Sequence, residues 1–203
     1  MLATTKSELN MKINNANIFF RDSVGGHLAL DMLNTVTIVG GQLVDAFQND
    51  GDVLNWLIEN NIADSVVNNS FKHDEILIAA CNLREMIRSL ISARKDEKSL
   101  QLDTINAFLK QGPSYHQLQE TNGKLEAITQ REIKSVNQLL TPIAEAAVNI
   151  LTQENFDLIR ECESADCVLW FYDKTKGHKR RWCSMAICGN RHKVSSFRMR
   201  QTH

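Results

Sequence analysis

Four of the chain's five cysteines fall in one C-terminal stretch, CESADCVLWFYDKTKGHKRRWCSMAICGNRHKV, as two C-x-x-x-x-C pairs. Cys162 pairs with Cys167, Cys183 pairs with Cys188, and fifteen residues separate the pairs. Two short loops that each aim two sulfurs at one point are how a small module builds a tetrahedral zinc site. With sulfur in all four positions no place is left for water, so one structural, non-catalytic Zn2+ per chain is expected. The alternative is a disulfide or redox pair. The N-terminus shows no apolar run with a cleavage site that would send the chain to an oxidising compartment, and the expected location is cytoplasmic.

Charge is distributed as unevenly as the cysteines. Residues 174–203 hold nine Lys or Arg and no Asp or Glu, whereas the first 173 residues carry a net charge of −10. A cationic module on an anionic body suits a polyanionic partner, because neutralising phosphates releases counterions. The spacing predicts a helix through RHKVSSFRMRQ capped by Asn190, with Arg191, Lys193, Arg198 and Arg200 on its polar side and Val194 and Phe197 turned inward. Lys179, Arg180, Arg181 and Trp182 lead into the third cysteine. Their guanidinium groups suit phosphate or guanine, Asn190 is a further candidate for a base contact, and the indole either stacks on an unpaired base or joins the module's small core.

The run RRWCSMAICGNRHKV resembles the signature of the CGNR zinc finger, spelled by Cys188, Gly189, Asn190 and Arg191. The upstream cysteine pair, followed by an aromatic stretch and Asp173, matches it too. The resemblance implies a treble-clef-like or ribbon-like zinc module that binds DNA. Near the other end, GGHLALDMLNTV, a later D-x-x-x-W-L segment from Asp52 and LREMIRSLI are similar to the ABATE domain. That domain is the N-terminal part of regulators, named for stress-induced transcription, that end in a CGNR finger.

The expected architecture is mainly α: a leader over 1–17, a helical domain with a small β element over 18–155, and the finger with its basic helix over 156–203. Ile18 to Phe20 reads as a short strand, Gly25-Gly26 as a turn, LALDMLNTV as a first helix, and Asp52 as the cap of the next. In DEILIAACNLREMIRSLISARKDE, Ile76, Ala80, Leu83, Ile87 and Leu90 mark a buried stripe with Arg84 and Arg88 outside it. A helix over 102–110 is followed by a hairpin about Asn122-Gly123. A last helix then carries Ile133, Val136, Leu140, Ile143, Ala147 and Ile150 on one stripe, with a break or restart at Thr141-Pro142.

His27, Asp31, Asn34 and Thr35 are close in sequence and offer two readings, local hydrogen bonding or a small-molecule pocket. The sequence carries no glycine-rich phosphate loop, nucleophile elbow or zinc-protease motif, and an enzyme is not expected. The expected function is zinc-dependent nucleic-acid binding, with DNA favoured over RNA. An effector or a second copy of the chain would act through the N-terminal domain, and an RNA or an acidic protein is the alternative partner.

Overall fold

The computed structural model describes residues 24–63, 71–153 and 155–201. The leader expected over 1–17 and the strand expected at Ile18 to Phe20 lie outside the described residues. Among the described residues helices dominate, and the sheets are three separate antiparallel pairs. The chain forms two compact units that cut across sequence order. One joins the residues up to Gln48 to those from Ile150 onward, and the other is Asn49–Asn149. The first elements therefore fold with the cysteine segment.

In that first unit, α1 (Leu28–Leu33) starts at His27, whose Nδ1 accepts a hydrogen bond from the Ala29 amide at 3.3 Å. The helix buries Leu30 and Leu33 and stops there, three residues short of the expected end. The β-branched run Thr35 to Val39 prefers extended backbone. It supplies β1 (Val36–Val39), which pairs with β2 (Gln42–Asp45) across Gly40 and Gly41, both at positive φ. Gly25 cannot carry a side chain, since a Cβ there would stand 2.8 Å from both Asp31 Oδ1 and Leu30 Cβ. Its amide instead donates to Asp31 Oδ1 at 2.9 Å.

The same unit contains β5 (Ile159–Glu161) and β6 (Trp170–Tyr172), a π turn over Met185–Gly189, and the terminal helix Asn190–Gln201. Strand β6 is gripped from the N-terminal side. Asn34 donates from Nδ2 to the Trp170 carbonyl (2.9 Å) and accepts the Trp170 amide on Oδ1 (2.8 Å), so one side-chain amide does the work of a neighbouring strand. The Tyr172 amide donates to Gly25 O at 2.8 Å. Asn34→Ala would strand two buried backbone groups, so a loss of about 2–4 kcal/mol is expected. Asn34→Asp, which keeps the acceptor but turns a negative oxygen toward the Trp170 carbonyl, should be no better; thermal unfolding of both variants checks this.

The second unit is built on α2 (Asp50–Glu59), α3 (Glu75–Lys95), α4 (Asp103–Leu109), the hairpin β3 (Ser114–Thr121) and β4 (Lys124–Arg131), and α5 (Val136–Leu151). Asn49, not Asp52, caps α2: its Oδ1 accepts from the Asp52 amide at 3.0 Å. Asp50 reaches across to α3 and accepts from the amides of Asp74 and Leu77, each at 2.8 Å. The expected stripe on α3 is buried throughout, yet Arg84, placed outside it by periodicity, is only 4% exposed. Its guanidinium lies against Glu85 Oε1 (3.4 Å) and Cys81 Sγ (3.6 Å).

The hairpin turns at Asn122-Gly123, where both residues have positive φ as a two-residue turn of this kind requires. Its Arg131 end is fixed to Glu145 at 2.7 Å. Helix α5 runs unbroken through Pro142, contrary to the expected break. Leu139, Leu140, Ile143 and Ala144 are buried around the proline, and their packing outweighs the missing backbone bond.

Candidate metal centre and basic face

The cysteine segment folds so that four sulfurs converge. Cys162 leaves β5, its amide bonded to Leu169 O at 2.8 Å, while the loop to Cys167 closes through the Cys167 amide on Ser164 O at 3.0 Å. Glu163 N bonds Arg181 O at 3.0 Å, which brings the second cysteine pair alongside the first. The π turn then returns Cys188 toward Cys183. Gly189 leaves room for that close return: a Cβ there would lie 3.2 Å from Trp182 Cδ1 and 2.9 Å from Met185 Sδ, the end of a flexible, exposed side chain.

The sulfurs of Cys162, Cys167, Cys183 and Cys188 lie within 4.8 Å of one another, and three of the four residues are buried. Tetrahedral zinc with bonds of about 2.3 Å requires sulfurs about 3.8 Å apart. Cys167 and Cys183 are at 3.7 Å and Cys183 and Cys188 at 3.5 Å. These separations fit a shared ion and not a disulfide, and all five cysteines are free. The Cys183 amide also donates to Cys162 Sγ at 3.3 Å, which favours the thiolate.

Without a cation the sulfurs compete for protons. Hydrogen bonding from Cys167 foremost, then Cys183 and Cys188, pushes the Cys162 thiol down, while Cys162, then Cys167 and Cys188, with burial, push the Cys183 thiol up. Zinc supplies the charge that holds all four as thiolates and so locks both loops. Loading must expel protons held by the raised thiols. Zinc affinity is therefore expected to rise with pH, as a chelator competition across pH would read.

Packed on the sulfurs is a core of Leu169, Phe171 and Trp182, joined by Val24 and Ile187. Trp182 thus belongs to the core, with its ring 4.8 Å from both the Arg181 guanidinium and the His192 ring. Arg180 is committed as well, which corrects its expected role as a base contact. Its guanidinium donates to the carbonyls of Trp182 (3.0 Å), Val24 (3.2 Å) and Cys183, and sits 4.3 Å over the Phe171 ring. A group with three carbonyl partners and an aromatic face has little left to offer a base.

Asp173 is the acid beneath this arrangement, fully buried at 0% exposure. Its carboxylate accepts from Thr175 Oγ1 (2.6 Å), the Thr175 amide (3.1 Å) and the Arg180 amide (2.9 Å), with Arg160 at 3.8 Å. Burial raises its pKa, but these hydrogen bonds and the Arg160 charge outweigh burial and hold it below the ordinary carboxylate value. A depressed folded-state pKa contributes stability above the unfolded value, about 3.9, that is lost as pH falls through the folded one. Asp173→Asn should flatten that acid limb of the finger's stability, measured by thermal unfolding from pH 7 to pH 3.

The terminal helix, α6 (Asn190–Gln201), continues directly from the π turn. Asn190 is consequently not a cap: it is already helical and donates from Nδ2 to Ala186 O at 3.1 Å. No residue of α6 is buried, and Val194 and Phe197, expected inward, are 50% and 55% exposed. The finger's core is already filled by the aromatic residues of β6 and Trp182. Arg191, Lys193, Arg198 and Arg200 are exposed on α6, and Lys179 and Arg181 are exposed on the loop before Cys183. Arg191 touches Asp166 O (3.4 Å), Arg200 touches Ser196 O (3.2 Å) and Arg181 pairs with Glu163 (2.6 Å).

At the other end of the unit, His27 and Asp31 hold the turn into α1, Asn34 holds β6, and Thr35 Oγ1 donates to Met32 O at 2.8 Å. Asn34 acts through a backbone contact 136 positions away, and Asp173 through the amides of Thr175 and Arg180, roles that no spacing rule announces.

No curated protein sequence matches the chain. Among the described residues no helix is long and apolar enough to cross a membrane. Two family models match in tandem: residues 26–154 match ABATE, described as a putative stress-induced transcription regulator, and residues 159–201 match the CGNR zinc finger. The first covers more than half of the chain and the second contains the four-sulfur site. This chain belongs to the ABATE family and carries a CGNR finger holding one structural zinc on Cys162, Cys167, Cys183 and Cys188.

Proposed function

We propose that the protein is a DNA-binding transcription regulator whose treble-clef-like finger presents α6 and the loop before Cys183 to duplex DNA. The observation that carries this reading is the exposure of Arg191, Lys193, Arg198 and Arg200 along one zinc-anchored helix, and of Lys179 and Arg181 on the loop before Cys183. Such groups bind phosphates as a set and give association a steep salt dependence. Stacking on single-stranded RNA finds less support, because Trp170 and Trp182 are buried and serve the core.

In this reading His27, Asp31, Asn34 and Thr35 are the frame that holds the finger and not an effector pocket. A homodimer enters only through a two-fold symmetric target. The protein acts by binding and not by catalysis, since four cysteines are committed to zinc and the buried Asp173 to amides and a hydroxyl.

The test is a salt series with zinc-loaded full-length protein on duplex DNA, single-stranded DNA and RNA of equal length. Duplex DNA is expected to bind tightest, with affinity falling steeply as salt rises. The double variant Lys193→Ala, Arg200→Ala should shallow the log–log slope by about two, one for each phosphate that is no longer neutralised. Salt-insensitive binding, or none by folded, zinc-loaded protein, would overturn the reading and direct the search to an acidic protein partner.

A further inference from the structure

Val194 and Phe197, three residues apart, lie on one line of α6 and are half-exposed. Arg191 and Arg198, seven apart, run along one flank of that line, and Lys193 and Arg200, also seven apart, run along the other. On the opposite side of the helix, His192 rests on the Trp182 ring at 4.8 Å, and Ser196, one turn on, is the half-buried residue of α6. The helix therefore turns His192 and Ser196 toward the finger and an apolar ridge between two basic rails away from it.

Building on the DNA-binding reading above, we propose that this ridge reads thymine: Val194 and Phe197 contact thymine C5-methyl groups on the floor of the major groove, while the rails hold the phosphates of its two walls. A helix with side chains is about 10–12 Å across and the B-DNA major groove about 12 Å wide, so ridge and rails engage together. Charge complementarity selects the occupant, since the rails face two polyanionic strands. The methyl group is the apolar feature that the groove floor displays, and it separates T·A from the other pairs. Double-stranded RNA offers neither a groove that side chains can enter nor a thymine methyl. The same ridge thus gives this helix a physical preference for DNA over RNA.

The experiment first recovers duplexes from a random-core library on zinc-loaded full-length protein, then resynthesises them with deoxyuridine in place of thymidine. Recovered sites should be enriched in T·A pairs, and the uracil duplex should bind about fourfold more weakly for each methyl contacted. The double variant Val194→Ala, Phe197→Ala, at exposed positions and with its zinc content and unfolding temperature checked, should bind both duplexes alike. Lys193→Ala should weaken both by the same factor.

Equal binding of the two duplexes by the unmodified protein, or a thymine preference that survives in the double variant, overturns the ridge proposal and leaves DNA binding standing. Failure to retain any duplex in a salt-dependent way removes the functional reading itself, and the proposal with it.

Discussion

Stripping the zinc is expected to unfold the finger and, with it, residues 24–48. Structural zinc in modules of this size contributes about 10–16 kcal/mol of apparent folding free energy near neutral pH, far more than a core built on Leu169, Phe171 and Trp182 could replace. Strand β6 receives the Asn34 side chain and the Gly25 carbonyl, and the loop before Cys183 sends Arg180 to Val24 O. Once the loops open, those N-terminal partners have nothing left to hold. Hydrogen exchange on chelated protein, or on Cys183→Ser, should show the amides of Trp170, Tyr172 and Gly25 losing protection together, while α3 and α5 keep theirs. Protection retained by residues 24–48 after chelation would mean that this segment folds without the finger.

Arg180→Ala should lower the finger's stability by about 3 kcal/mol, whereas Arg181→Ala should stay within about 1 kcal/mol. Arg180 makes charge-assisted bonds to three carbonyls and a cation–π contact with Phe171, each of a kind that stabilises by one to a few kcal/mol when partly buried. Arg181 forms an exposed pair with Glu163, of a sort that contributes little. Arg180→Lys should rescue poorly, since an ammonium cannot reproduce the planar fork. Thermal unfolding with zinc retention as a second readout distinguishes the roles. An Arg180→Ala protein that unfolds normally, keeps its zinc and yet fails to bind DNA would return Arg180 to the binding surface.

Features with a short period or a fixed spacing were legible in the amino-acid sequence. The cysteine spacing specified the four ligands, the α3 stripe from Ile76 to Leu90 specified a buried face, and Asn122-Gly123 specified a turn. Each depends on residues a few positions apart, so local geometry leaves few alternatives. The basic helix was legible as a helix, but its orientation was not. Val194 and Phe197 obey the helical period, yet which side faces inward depends on what already fills the core, and Trp182 and Phe171 fill it.

Zinc ligation, the helical periods and the excess of positive charge at the C-terminus were thus determined by the sequence itself, because thiolate spacing, side-chain periodicity and net charge are properties of neighbours in the chain. Tertiary structure decided which polar groups support the finger and which face solvent. Arg180 and Arg181 are adjacent and chemically identical, yet one is enclosed by carbonyls from Val24, Trp182 and Cys183 and the other is exposed. Asn34 reads as a local cap until Trp170 is brought beside it, 136 positions away. A buried polar group takes whatever partner the fold delivers, because leaving it unpaired costs too much, and that partner is chosen by packing between distant segments.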